Sequence, residues 1–331
     1  MMKSETQWMP ARITALRDLT PTVREFEIRP ESGVVATHEP GAHLQVQLLV
    51  GRPGQGKVQT RSYSLVGAPD GQAWRIAVKR LDDGRGGSLA MWGLAEGDRL
   101  LVGSPQSHFG LDLSAPGYLL VAGGIGITPL VYMAQRLAAS AQRGAVRMLY
   151  GARSAEELAY LPHLQEALGD HVQAHVGTAA IDFAAEIAAL PPGAQLYTCG
   201  PVPMLEAIKR AWAAAGRAPA DLRFETFGSS GRLAAQAFEV RIPRHDLTIQ
   251  VPADSTLLDA LDAAGVQTLW DCRRGECGLC AMDVLAVDGE IDHRDVFLSA
   301  HEKQQSQRIC ACVSRAVGAV TLDSAWRPDA R

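Results

Sequence analysis

Five of the six cysteines fall between Cys272 and Cys312, and Cys272, Cys277 and Cys280 make the spacing C-x4-C-x2-C. Thiolates so close in sequence share one loop, and that loop must fold to suit what they hold. The spacing, with a distant fourth cysteine, is that of a plant-type [2Fe–2S] centre. Gly275 and Gly278 let such a loop wrap closely, with backbone N–H groups aimed at sulfur. A structural zinc site more often pairs two C-x2-C units. Cys310 and Cys312 are both placed to be the fourth ligand. Spacing leaves that choice open, and the cysteine not used is an ordinary buried thiol.

Composition narrows the setting. Clustered cysteines argue against a disulfide framework and for metal or redox chemistry in a reducing compartment. The net charge of −4 gives no general reason to bind nucleic acid or an anionic membrane. Apolar stretches such as Tyr118–Ala122 end at glycines, short of the ~20 residues that span a bilayer. Met1–Pro10 has no long apolar run of the secretory kind. These features predict a soluble cytoplasmic protein. At 331 residues, 47% of them apolar, the chain can build two or three cores, at roughly 150 residues per domain.

The texture changes twice along the chain. Up to about Asp112, short strands alternate apolar and polar residues. Phe26 and Ile28 alternate with Glu25, Glu27 and Arg29; Leu44, Val46 and Leu48 with His43, Gln45 and Gln47; Trp74, Ile76 and Val78 with Arg75, Ala77 and Lys79. This predicts an antiparallel β-barrel over 1–114. From about Ala115, strands at Tyr118–Ala122, Val146–Tyr150, Val172–Val176, Gln195–Cys199 and Asp221–Glu225 are separated by helical stretches such as Pro129–Ala139 and Pro201–Ala215. This predicts a parallel, doubly wound α/β domain over 115–228, with ligands at the carboxyl ends of its strands. Small polar residues from Gly228 to Gln236 read as a linker, placed at 229–236. A hairpin, Phe238–Ile242 and Leu247–Val251, and a helix from Ser255 to about Ala264 then open a third domain, 237–331.

Gly123, Gly124 and Gly126 follow the strand ending at Ala122, and Thr128 and Pro129 follow them. Glycines there bring backbone close to a pyrophosphate, whose charge a helix N-terminus favours. The pattern G-x-G-x-x-P departs from the dinucleotide fingerprint, and Arg153, not an acid, closes the second strand. Cys199, Gly200 and Pro201 end another strand on the same edge, and two such turns make a dinucleotide cleft. In the barrel, Arg61-Ser62-Tyr63-Ser64 ends a strand, with Arg61 suited to a phosphate. Gly84-Arg85-Gly86-Gly87-Ser88 then opens a short helix, with Ser88 as cap or phosphate donor. Taken singly these are turns, caps and a small core cysteine; their order along one chain is what informs.

That ordered set, completed by the C-x4-C-x2-C, resembles the phthalate dioxygenase reductase family, which includes vanillate O-demethylase reductases, over nearly the whole chain. The resemblance implies an FMN-binding barrel, an NADH-binding domain and a C-terminal plant-type ferredoxin domain. Arg61-Ser62-Tyr63-Ser64 would hold the flavin, with Arg61 contacting its phosphate and Tyr63 and Ser64 lining the isoalloxazine. Ala77, Val78 and Lys79 would meet its polar edge, and Gly86, Gly87 and Ser88 would form its phosphate loop. Thr128 would lie near the flavin, and Phe224-Glu225-Thr226-Phe227 would bring Phe227 to the ring. Gly123, Gly124, Gly126, Arg153, Gly200 and Pro201 would serve the nucleotide, with Cys199 facing the nicotinamide. Asp292-His293-Arg294-Asp295 followed by Cys312-Val313-Ser314-Arg315-Ala316 would make Cys312 the fourth ligand. Ala286–Gly289 looks longer than the family's pattern, and Ser324–Arg331 extends past its usual terminal strand.

The activity implied is hydride transfer from NADH to flavin N5, then single-electron transfer through the cluster to a Rieske-type oxygenase component. Ser64 and Cys199 are the residues nearest that chemistry. A competing reading is the electron-transfer subunit of another dehydrogenase or monooxygenase. The dihydroorotate-dehydrogenase type has a much shorter gap before its last cysteine. A redox sensor would need an output element, and the three segments leave no room for one.

Overall fold

The computed structural model describes residues 7–51, 56–82, 86–140, 145–177, 181–227, 231 and 233–323. The chain divides into two units, Met1–Glu225 and Thr226–Arg331.

The first unit holds two sheets. Its N-terminal sheet is built from β1 (Trp8–Thr20), β2 (Val23–Pro30), β3 (Ala42–Val50), β4 (Lys57–Ser64), β5 (Trp74–Lys79), β6 (Arg99–Gly103) and β7 (Gln106–Ser107), with a short helix α1 (Gly87–Trp92). The strand order is β4-β3-β6-β1-β2-β5, with β7 on β3. A bridge between Leu65 and Ile76 brings the two end strands together, so the sheet curls into a barrel. Phe26, Ile28, Leu44, Val46, Trp74 and Ile76 fill its interior, as their alternation requires. One wall departs from that alternation. Glu25 and Ala77 occupy outward positions yet are only 8% and 5% exposed. The neighbouring α/β layer covers them: Tyr160 donates its hydroxyl to Glu25 at 2.6 Å, and Ala77 joins that layer's core. A two-residue period cannot report what packs against the outer face.

The second sheet contains β8 (Gly117–Gly123), β9 (Ala145–Ala152), β10 (Val172–Val176), β11 (Gln195–Cys199) and β12 (Leu222–Glu225). Its order is β10-β9-β8-β11-β12, and every pairing is parallel. Helices α2 (Thr128–Ala138), α3 (Leu161–Leu168), α4 (Phe183–Ala188) and α5 (Val202–Ala214) make the connections. One core packs Tyr118, Leu120, Leu130 and Met133; a second packs Leu119, Val121, Leu196 and Trp212. Strands β8 and β11 are buried throughout, which is why they read as unbroken apolar runs. The order reverses between them, and that switch point is where such sheets bind ligands.

The second unit is a mixed sheet of β13 (Phe238–Ile242), β14 (Leu247–Val251), β15 (Ala281–Asp292), β16 (Arg308–Cys310) and β17 (Arg315–Asp323), with helices α6 (Leu257–Ala263) and α7 (Ala300–Gln305). The order is β14-β13-β17-β15-β16; β13 and β17 are parallel and the other pairs antiparallel. Helix α6 starts later than expected because Thr256 is its N-cap, accepting the Asp259 N–H at 3.0 Å. Ala286–Gly289 continues β15, pairing with Thr321 through Gly318. Part of the expected linker is tied to this sheet: the carbonyls of Leu233 and Gln236 accept hydrogen bonds from Arg294 at 3.0 Å and Arg315 at 3.1 Å. Expectations for Gly84, Arg85, Gly228, Ser229, Ser230, Arg232 and the tail Ser324–Arg331 lie outside the described residues. Among the described residues no helix is long and apolar enough to cross a membrane.

Candidate functional site

On the barrel, β4 leaves Ser62 exposed, Arg61 and Tyr63 partly covered and Ser64 buried. The Arg61 guanidinium donates to the Thr60 carbonyl at 2.9 Å and to the Gln59 side chain. It runs beside the start of α1: a Cβ on Gly87 would lie 2.7 Å from Arg61 Nε. Gly86, with φ +80, is the N-cap of α1. The strand arginine and the glycine pair, 25 residues apart in sequence, therefore meet. Ser88 is not the cap. Its hydroxyl sits inside the first turn, accepting the Leu81 N–H at 3.1 Å and donating to the Leu81 carbonyl at 3.4 Å. Burial pushes the Tyr63 phenol up against the opposing charge of Arg61, so the ring is neutral.

Strand β5 offers backbone. Arg80 N–H donates to Thr22 at 2.8 Å, so the alternation of the ladder bonds Val78 to Arg24. The N–H and C=O groups of Ala77 and Lys79 then point to the other edge. The barrel closure on that edge is the single bridge at Leu65 and Ile76. That bridge uses the Ala77 N–H, and beyond it the path of described strands ends at β5, so Lys79 lies on an edge. The Val78 carbonyl also accepts the Trp92 indole N–H at 3.0 Å, which fixes α1 to this strand. Lys79 donates to Glu157 at 2.7 Å. That bond, with the further charge of Arg153, holds the Glu157 carboxyl below its usual range. Arg153 itself is exposed just beyond β9.

At the switch point the glycines act by proximity. A Cβ on Gly126 would lie 2.2 Å from the Cys199 carbonyl oxygen. One on Gly123 would lie 2.5 Å from Pro201 Cδ, and one on Gly200 would lie 2.9 Å from Gly123 N. The two turns therefore pack backbone on backbone, which holds the ends of β8 and β11 together. Gly124 differs: its φ is +53 and its missing Cβ faces open space. It presents bare backbone on the carboxyl edge. The 3-10 turn Gly124–Ile127 precedes α2, which puts Pro129 second in the helix rather than first. Thr128 is buried and donates to the Ile125 carbonyl at 3.0 Å. Cys199 is 1% exposed. At the end of β12, Glu225 is buried and accepts the Ser64 hydroxyl at 3.3 Å, tying the end of β4 to this same edge.

In the second unit, Cys272 Sγ accepts backbone N–H groups from Arg274, Glu276 and Cys277 at 3.4, 3.4 and 3.5 Å. Gly275 and Gly278 take φ +76 and +72. A Cβ on Gly275 would meet Val313 and Asp295, and one on Gly278 the Phe297 ring. The Cys272 thiol lies within hydrogen-bond reach of Cys277 and Cys312. The Cys280 thiol lies within reach of Cys310 and Cys312. Those neighbouring thiols, with backbone N–H groups behind them, push Cys272 and Cys280 toward thiolate. Among the described residues, no three or more His, Cys, Asp or Glu side chains converge as a single metal ion requires. A two-iron cluster takes its ligands as two pairs; Cys272 and Cys277 lie together as one, and Cys280 has both Cys310 and Cys312 within reach.

The motifs flanking these cysteines brace the loop. Ser314 donates to Asp295 at 2.9 Å, and Arg294 N–H to Ser314 at 3.0 Å. Val296 and Phe297 N–H groups reach the Gly275 carbonyl at 3.0 and 3.1 Å. Glu276, inside the loop, accepts the Thr226 N–H and, at 2.9 Å, its hydroxyl; burial raises its pKa. Phe227, by contrast, is 45% exposed. Glu157, Glu225 and Glu276 are the supporting residues that the motif reading left without a role. The last two lie inside recognised segments, but Glu157 has no local signal.

Comparison with known proteins agrees with this geometry. A family described as "2Fe-2S iron-sulfur cluster binding domain" matches residues 240–317, and "Oxidoreductase NAD-binding domain" matches residues 120–181. The chain is 35% identical over 318 residues to the "Heme-dependent oxidative N-demethylase beta subunit" of Ectopseudomonas mendocina (strain ymp), covering 95% of this chain and 98% of that protein. It is 37% identical over 317 residues to the "Vanillate O-demethylase oxidoreductase" of Pseudomonas sp. (strain HR199 / DSM 7063), covering 93% and 96%. Among solved structures, phthalate dioxygenase reductase, described as modular and as carrying electrons from pyridine nucleotides to [2Fe-2S], aligns with a TM-score of 0.78 at 31% identity, covering 96% of this chain and 98% of that one. The shared order of an antiparallel flavin-type barrel, a parallel NAD-binding sheet and a 2Fe–2S ferredoxin domain, with identity spread over nearly the full length, makes this chain an electron-transfer oxidoreductase of the phthalate dioxygenase reductase family.

Proposed function

We propose that this protein is the NADH-dependent reductase component of an oxygenase or demethylase system, with FMN and a [2Fe–2S] cluster as its carriers. The flavin barrel spans 1–114, the NAD domain 115–228, a linker 229–236 and the ferredoxin domain 237–331. FMN, when bound, would supply hydride acceptance from NADH and, with the cluster, conversion of a two-electron donor into a one-electron supply. Every other part of the task falls to residues of this chain.

Arg61 brings positive charge to the Gly86 and Gly87 backbone, a combination suited to the FMN phosphate. Ser88 holds that loop in shape through Leu81. Tyr63 offers a neutral ring, and Ser62 stands beside it on β4. The edge of β5 at Ala77–Lys79, with Val78 anchoring the strand, turns backbone toward the flavin's polar side. With its proton directed at Glu225, Ser64 keeps an acceptor lone pair, as a reduced ring N–H requires. Gly124 gives the NADH pyrophosphate access to backbone, while Gly123, Gly126, Gly200 and Pro201 hold the cleft to size. Thr128 and Cys199 belong to the nicotinamide end, Arg153 to the outer end and Phe227 to the flavin ring. Cys272, Cys277, Cys280 and Cys312 hold the cluster. The observation that carries this reading is the Cys272 sulfur receiving three backbone N–H groups beside two thiol pairs.

The partner is an oxygenase or demethylase component, and a Rieske-type iron protein suits the resemblance to phthalate and vanillate systems. A haem-dependent N-demethylase partner is a second reading, favoured by the 35% identity to the subunit so named. Thiols that must stay reduced, and NADH as donor, suit the cytoplasm. The test is anaerobic reconstitution followed by metal and flavin analysis and cytochrome c reduction with NADH. Two irons and one FMN per chain are expected. Cys277→Ser should lose the cluster absorbance and nearly all cytochrome c reduction while NADH still bleaches the flavin. Colourless protein, or full cytochrome reduction by Cys277→Ser, sinks the assignment.

A further inference from the structure

The stretch 229–236 has the composition of a flexible linker, yet described residues in it and just before it are fastened to the second unit. The chain leaves β12 at Glu225, and Thr226 already belongs to that unit. Thr226 is buried. Both its N–H and its hydroxyl donate to one oxygen of Glu276, the hydroxyl at 2.9 Å. The other Glu276 oxygen lies 3.5 Å from Arg274 Nε. Further on, Gly231 has φ +77, and a Cβ there would lie 2.2 Å from Asp292 Oδ2 and 2.3 Å from Arg294 Nε. The strap therefore passes directly over the ion pair of Asp292 and Arg294, whose side chains are 1% and 7% exposed. Burying an ion pair costs free energy unless its remaining donors are satisfied. Here the Leu233 carbonyl takes one of them, 3.0 Å from the Arg294 guanidinium. Arg315 repeats the arrangement: it is buried and donates to the carbonyls of Gln236 at 3.1 Å and Pro252 at 2.8 Å.

We infer that Glu276 and Arg294 are positioning residues that clip this stretch to the ferredoxin domain, so that the reach of the cluster is set at Thr226 and not by the length of the linker. The inference rests on the flavin-to-cluster relay proposed above. Tethered partners meet at an effective concentration that falls with roughly the −3/2 power of free linker length, or more steeply. A small, polar stretch left free would behave as a coil and disperse the domain it carries. Chain that is clipped down is removed from the free length. The clips also act in series. Freeing Gly231 alone leaves Thr226 fixed upstream, so both must open before the length counts.

The experiment is stopped-flow reduction of the reconstituted holoenzyme by NADH, resolving flavin reduction from flavin-to-cluster transfer, with iron content measured on each variant. An insert of about 24 Gly/Ser residues between Ala234 and Ala235, both exposed, lengthens 229–236 about fourfold. A free linker so lengthened loses about eightfold in effective concentration. In wild type the insert should change flavin-to-cluster transfer by less than about twofold, because the added chain lies beyond the clips. Two released variants combine Gly231→Ala with Glu276→Leu or with Thr226→Pro. The first removes the acceptor from the cluster loop; the second removes both donors from the strap and leaves that loop untouched. In each, the same insert should slow transfer about eightfold. Gly231→Ala with Glu276→Gln, which keeps an acceptor, should stay insensitive to the insert. Clips that served stability alone would not make the rate depend on linker length. An eightfold loss in otherwise wild-type protein overturns the inference, and so does insensitivity to the insert in a released variant that retains iron. A wild-type cluster that NADH never reduces sinks the relay itself, whatever the clips do.

Discussion

The glycines of the cysteine loop and those of the nucleotide edge solve different problems. Gly275 and Gly278 stand at positive φ, where the loop must turn back on Cys272. Gly123, Gly126 and Gly200 have no such backbone requirement, yet none can carry a Cβ, because another turn occupies the space. The first need arises within a nine-residue motif, Cys272–Cys280. The second exists only when two strands, β8 and β11, lie side by side with their turns in contact. A glycine's spacing therefore announces the first kind of site, and only packing reveals the second.

Four substitutions test that contrast, ordered by expected size. Gly126→Ala should be the most damaging, since the new methyl overlaps the Cys199 carbonyl and both turns are anchored by buried strands. We expect about 3 kcal/mol of destabilisation and a loss of NADH-driven flavin reduction of tenfold or more. Urea unfolding and stopped-flow reduction would measure these. Wild-type behaviour would mean that the two turns are not in contact. Gly275→Ala should cost about 1–2 kcal/mol in left-handed backbone strain, besides its overlap with Val313 and Asp295. Iron content per chain should fall while NADH reduction of flavin persists, and the reverse pattern would break the separation of the two sites.

Gly124→Ala isolates conformation from packing, because its Cβ meets nothing within 4 Å. About 1 kcal/mol is expected, seen as a drop of roughly 2–4 °C in Tm, with a rise in KM for NADH if backbone meets the pyrophosphate. The smallest effect belongs to Glu157→Gln, which breaks the partly covered pair with Lys79 at a cost of about 0.5–1 kcal/mol. Because Lys79 lowers the folded pKa of Glu157, the pair's contribution is complete above the unfolded value of about 4.3. It is lost as pH falls through the folded pKa. Wild type and variant should differ at pH 7 and converge in acid; a constant difference across pH would assign the effect to packing instead.

Much of the fold was legible because its signals are local. Alternation marked Phe26, Leu44 and Trp74 as barrel interior, and unbroken apolar runs marked β8 and β11 as a buried parallel sheet. What stayed hidden lay in the outer faces. Glu25 and Ala77 carry the periodicity of an exposed wall, and only the α/β layer against them makes them core. Ser88 has the composition of a cap, but Gly86 does the capping, and the serine braces Leu81.

The sequence by itself determined the chemistry available: thiolates at the spacing of a two-iron loop, glycine turns after buried strands, and an arginine strand followed by a glycine pair. Those properties depend on residues within a few positions of one another, where backbone geometry is set by neighbours. Tertiary structure alone decided which of these groups meet. It placed Arg61 against Gly87 and Ser64 against Glu225. Each such pairing depends on strand register and layer packing, long-range outcomes of burying apolar surface that no short window of residues encodes.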